Sequence, residues 1–143
     1  MTNKAFLTLL SKSENIGLAR IAVATFSSNL DFTLSEIEEI KVAVSEAVTN
    51  CIIHAYEENK GEIEIIMELN EDELSIEISD YGKGIADIEA VLQPSFSTKE
   101  EHMGLGLAFI DSFMDDFEIN SKVNKGKTII MKKCHKDLKK VKN

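Results

Sequence analysis

Cysteine is scarce in this chain of 143 residues, and its two copies, Cys51 in a helical pattern and Cys134 near the end of a strand pattern, build neither a disulfide framework nor a metal quartet. Both are read as reduced and structural. Proline occurs once, at Pro94, and no repeat or low-complexity linker marks a domain boundary. Long apolar runs are missing, since none approaches the roughly 18 to 20 residues of a membrane span. The opening "MTNKAFLTLLSKSEN" also lacks the charged start, apolar stretch and small-residue cleavage site of a signal peptide, so a cytoplasmic protein without a membrane partner is expected. Positive charge is short as well: 16 Lys and Arg face 25 Asp and Glu, a net charge of −9. A general nucleic-acid binder needs clustered cations, so no direct nucleic-acid partner is expected, and an acidic domain sooner meets a basic protein.

What is present has the balance of a globular protein, 43% hydrophobic and 29% charged, at the length of one domain. Residues 1–136 are expected to form that domain, and 137–143, the end of the basic run "KKCHKDLKKVKN", a flexible tail. "KAFLTLLS" reads as a first strand. "SENIGLARIAVATFSSNL" carries helical spacing through Ile16, Ala19, Ile21, Val23 and Phe26, with Ser13 as N-cap. "TLSE" has the Thr-x-x-Glu capping-box pattern and opens a second helix at Thr33 that runs to about Tyr56. "GEIEIIMELN" and "ELSIEISD" alternate as an antiparallel hairpin, "LGLAFIDSFMDDF" reads as a third helix, and "FEINSKVNKGKTIIMKKC" as a closing hairpin turning at "NKG". Helices and hairpins in blocks predict an α+β fold, a two-layer α/β sandwich with a mostly antiparallel sheet and helices on one face.

Three segments carry polar groups that such a frame does not require. At about 100° per residue the second helix turns Ile37, Ile40, Val44, Val48, Cys51, Ile52 and Ala55 toward the sheet. Glu46, Asn50 and His54 follow one another along another line, among Val42, Ala43, Ala47 and Ile53. Each has an ordinary explanation: exposure for Glu46, a bond to a loop for Asn50, a capped carbonyl for His54. "SDYGKGIAD" leaves a strand with Asp80, Gly82 and Gly84, where glycines permit close backbone approach and the carboxylate can accept from an exocyclic amine; a plain turn uses the same vocabulary. In "HMGLGLAFI", Gly104 and Gly106 open the third helix, so that free amides and the positive dipole end face the preceding loop, an environment suited to phosphate. Tight packing at a helix start is the alternative. Phe109 stands where a dinucleotide fingerprint needs its last glycine, and no P-loop occurs.

Glu-x-x-x-Asn on a helix, Asp-x-Gly-x-Gly after a strand and a later Gly-x-Gly together resemble the Bergerat-type ATP-binding fold of the gyrase, Hsp90, histidine-kinase and MutL superfamily. Within it, "IKVAVSEAVTNCIIHAY", "QPSFSTK" and "SFMDDFEINSKVNKGKT" are similar to the serine kinases that act as sporulation anti-sigma factors. The resemblance covers nearly the whole chain.

It implies ATP and Mg²⁺ as cofactors, with Asn50 holding the metal and Glu46 as general base toward a serine hydroxyl or water. Asp80 would read the adenine amine, helped by Thr128, with Gly82, Gly84 and Ile85 beside the base and His54 near the phosphates. Gly104, Leu105, Gly106 and Leu107 would meet the phosphates, with 95–103 as a mobile lid that includes Thr98 and Lys99. Arg20 matches a residue that contacts both the sigma factor and its antagonist; an exposed ion-pairing arginine is the other reading. The implied activity is that of a homodimeric anti-sigma factor and protein serine/threonine kinase, which inhibits a sporulation sigma factor and phosphorylates the anti-anti-sigma antagonist on serine. The alternatives are a histidine-kinase-like catalytic domain and a nucleotide-dependent binding module. Two departures stand out: Lys99 and His102 occupy a lid expected to carry an arginine, and Ala55 stands where glycine is expected.

Overall fold

The computed structural model describes residues 3–55, 61–82 and 98–134, and of 98–104 the backbone alone. Among these, five strands form one antiparallel sheet in the order β1-β2-β3-β5-β4: β1 (Asn3–Leu10), β2 (Glu62–Asn70), β3 (Glu73–Asp80), β4 (Asp116–Lys122) and β5 (Gly126–Cys134). Three helices accompany them, α1 (Ile16–Ser27), α2 (Leu34–Asn50) and α3 (Thr98–Phe113).

Strand alternation makes the sheet two-faced. Ile63, Ile65, Met67 and Leu69 of β2, Leu74, Ile76 and Ile78 of β3, and Ile129 and Met131 of β5 point to one buried side. Ala19, Val23 and Phe26 of α1, Ile40, Val44 and Val48 of α2, and Leu107 and Ile110 of α3 complete the same core. The helices therefore lie on one face, as the block order predicts, and the expected stripe of α2 is the one that packs. Strand pairing carries the register from Leu7↔Ile65 to Ile65↔Ile78 and Ile78↔Ile129, so one residue of slip would turn the apolar side of a strand to water.

The capping box at Thr33 forms in both directions, Glu36 N–H donating to Thr33 Oγ1 at 3.1 Å and Thr33 N–H to Glu36 Oε1 at 2.9 Å. Three expectations are corrected. Ser13 lies in a short 3₁₀ turn, Ser13–Asn15, and its hydroxyl donates to Glu14 instead of capping α1. The second helix does not stay α-helical to its end: Cys51–Ala55 widens into a π-turn, and Tyr56 is outside the described residues. The third helix starts at Thr98, well before Gly104, because "TKEEHM" is rich in helix formers with Glu100 and Glu101 near the favourable N-terminal end.

Candidate functional site

Glu46 and Asn50 project from consecutive turns of α2, and α3 lies across them at Gly106. A Cβ placed on Gly106 would stand 2.7 Å from Glu46 Oε2 and 3.6 Å from each polar atom of the Asn50 amide. The glycine is thus the space that lets a carboxylate and an amide share one spot beneath a crossing helix. Asn50 is fully enclosed, yet neither Oδ1 nor Nδ2 has a hydrogen-bond partner among the described residues. Buried amides are rarely left this way, and an enclosed, unsatisfied side-chain oxygen beside a carboxylate suits a hard cation and its oxygen ligands.

His54 is buried in the π-turn that continues α2, the kind of irregular turn often found at functional sites. The same turn meets the exit of β3. A Cβ on Gly82 would fall 2.0 Å from the carbonyl oxygen of Ala55, so Gly82 is required by backbone contact with the end of α2. The close approach expected of Gly82 therefore has a protein partner. Gly84 and Ile85 lie outside the described residues.

Asp80 ends β3 on the helix side, enclosed, with Oδ1 accepting the N–H of Gly82 at 3.0 Å. Its neighbour across the sheet is Lys127, whose Nζ stands 3.4 Å from Asp80 Oδ2. Thr128, expected to help Asp80, lies one residue further along β5 and makes no hydrogen bond with it among the described residues. Strand alternation turns it to the open face of the sheet, where its hydroxyl lies 2.9 Å from that of Ser79. Lys127 has the parity of Ile129 and Met131 in "GKTIIM", a signal by which its inward position was legible. Cys51, below Asp80, was read as structural, and it is fully buried. Its thiol is pushed up to about 12, first by burial, with the nearby Lys127 opposing and the Asp80 carboxylate reinforcing the rise.

The reading of Gly104 and Gly106 as a helix mouth is corrected. Both stand past the first four residues of α3, where amides are engaged along the helix, and Thr98 and Lys99 belong to its first turn instead of to a loop. Leu107 faces the core and Leu105 is half exposed, so their side chains serve different surroundings. Arg20 is exposed on α1, remote in sequence from the other residues, beside exposed Leu18 and Ile21. A cleft of about 420 Å³ opens at the β3, β5 and β4 end, lined by Asp80, Lys127 and Thr128 together with Tyr81, Asn120 and Lys125. Neither Glu46, Asn50 nor Gly106 borders it.

Residues 9–133 match the family model of the histidine kinase-like ATPase domain. The anti-sigma F factor of Clostridium acetobutylicum is 46% identical over 135 residues, covering 93% of this chain and 94% of that protein. The anti-sigma F factor of a Thermoanaerobacter species is 48% identical over 134 residues, covering 92% and 94%. Among solved structures, the RsbU and RsbW domains of Rv1364c from Mycobacterium tuberculosis share the fold with a TM-score of 0.68 at 19% identity, covering 93% of this chain and 32% of that one. The chain belongs to the anti-sigma F factor family, within the histidine kinase-like ATPase domains.

Proposed function

We propose that this protein is an anti-sigma factor and ATP-dependent protein serine kinase, which holds a sporulation sigma factor and phosphorylates the anti-anti-sigma antagonist on serine. One observation carries the nucleotide part of this reading: the enclosed Asn50 amide, without a hydrogen bond among the described residues, lies beside the Glu46 carboxylate under Gly106. Asn50 Oδ1 would hold Mg²⁺, and Glu46 one turn away would accept the proton of the attacking serine hydroxyl. When bound, ATP would supply the phosphoryl group and Mg²⁺ would neutralise the charge that gathers on it. Asp80 would accept from the exocyclic amine of the base, and His54 would border the phosphates. Gly104 and Gly106 would present their amides after the first turns of α3 open, with Thr98 and Lys99 drawn in from that segment. Positioning of the reacting groups would then supply most of the rate.

The partner part rests on the names of the anti-sigma F relatives and on Arg20, which stands exposed between exposed Leu18 and Ile21 on α1. A homodimer in the cytoplasm is the proposed form; among the described residues no helix is long and apolar enough to cross a membrane. Incubation of the purified chain with Mg²⁺-ATP and the antagonist tests the whole reading. Acid-stable phosphoserine on the antagonist is expected. Acid-labile phosphohistidine on another acceptor would favour a histidine-kinase-like domain, and tight nucleotide binding without transfer a binding module.

A further inference from the structure

Lys127 interrupts the apolar packing on the inner face of the sheet. Its side chain is 3% exposed and that of Asp80 is 0% exposed, with Nζ and Oδ2 3.4 Å apart. A pair this deeply buried is costly to desolvate and adds little net stability over apolar residues of similar volume. Its local geometry is also incomplete. Asp80 Oδ1 takes the Gly82 N–H, whereas Oδ2 has no hydrogen bond among the described residues, only the ammonium at ion-pair distance. An ammonium carries three donors and a carboxylate oxygen two lone pairs, so an acceptor and a donor stand side by side with capacity to spare.

We infer that Lys127 is the second reader of the nucleobase, donating to a ring nitrogen while Asp80 Oδ2 accepts from the amine next to it. The inference rests on the nucleotide reading of the site given above. A 6-amino purine offers this order, because adenine carries its N6 amine between the acceptors N7 and N1. A 6-oxo purine presents a carbonyl to Asp80, the wrong sign, and, where N1 is the nitrogen read, an N1–H to Lys127 as well; N7 stays an acceptor in both kinds of purine. Read through N1, Lys127 adds to the selectivity for adenine over hypoxanthine and guanine, and its ammonium holds the Asp80 carboxylate in place before the nucleotide arrives.

Calorimetry on the unmodified chain with Mg²⁺ and ATP, 1-deaza-ATP, 7-deaza-ATP or ITP tests this without disturbing the fold. One deaza analogue, which keeps the amine and lacks one ring acceptor, is expected to bind about tenfold or more weakly than ATP, as for a lost hydrogen bond to a charged donor. Both deaza analogues binding like ATP would overturn the role of Lys127. Lys127→Met is expected to weaken ATP by a similar factor and to narrow the preference for ATP over ITP. A folded Lys127→Met protein with unchanged affinity and unchanged preference shows a mere counter-ion and overturns the inference. Where that variant fails to fold, the deaza comparison decides alone. Asp80→Asn separates the two levels: unchanged ATP affinity in that variant removes base reading at this site altogether, whereas lost affinity combined with normal binding of both deaza analogues removes Lys127 only.

Discussion

Gly106 shows at the scale of one residue how structure and chemistry pull apart. Inside a helix, glycine is about 1 kcal/mol less favourable than alanine, so stability alone argues for Gly106→Ala. The added methyl would meet Glu46 Oε2, the movable end of a flexible side chain, and would push the carboxylate out of its place beside Asn50. Gly106→Ala is therefore expected to melt at or above the wild-type temperature while losing about a hundredfold or more of serine phosphorylation, the lower range for a displaced general base. Wild-type transfer in that variant would show that the close approach has no catalytic meaning. Cys51 gives a pH signature in the same region. Its thiol moves from 9.0 to about 12 on folding, so the unfolded chain ionises first; this contribution to stability is complete below pH 9 and lost as pH rises toward 12. Denaturant unfolding at several pH values should show a shallower loss over that window for Cys51→Ala, and equal slopes would contradict the shift.

Among the elements, β5 binds the two functional helices together through Lys133. Its enclosed ammonium donates to the carbonyl of Phe113 at the end of α3, a favourable place for positive charge, and lies 3.3 Å from Glu39 Oε1 of α2. Lys133→Met should lower stability by about 1–3 kcal/mol, measured by thermal or denaturant unfolding, because a helix-end acceptor and a carboxylate both lose their donor. An unchanged melting temperature would assign the tie no weight. The elements were largely legible in the sequence where a periodic pattern and its local chemistry agreed, as in the Thr33 capping box, the alternating hairpins and the apolar stripe of α2. Legibility failed where long-range packing overrode local preference. Glycine is a poor interior helix residue, so "GLG" reads as a helix start, yet α3 continues through it, and Gly106 leaves the space in which Glu46 lies. The resemblance points to Thr128 beside Asp80, but alternation assigns the inward position to Lys127. The π-turn at Cys51–Ala55 leaves no periodic trace over five residues, and the backbone it packs against, that of Gly82, lies across the fold.

Over the whole molecule, a two-layer arrangement brings residues from distant stretches of chain to one end of the helix layer. Glu46 and Asn50 arrive on α2, Gly106 on α3, Asp80 and Lys127 on paired strands. The site's integrity depends on the contact between β3 and the π-turn, so Gly82→Ala should lower the melting temperature sharply by driving a methyl into the Ala55 carbonyl. A variant as stable as the wild type would mean that this joint yields easily. The central claim is that these groups enclose one magnesium-bound adenine nucleotide. Titration calorimetry with ATP, in the presence and absence of Mg²⁺, on the wild type and on Asn50→Ala tests it most directly. The account predicts association at one site per chain that Mg²⁺ strengthens in the wild type, with the metal dependence lost in Asn50→Ala; no heat of association in the wild type, or the same Mg²⁺ effect in both proteins, would contradict it.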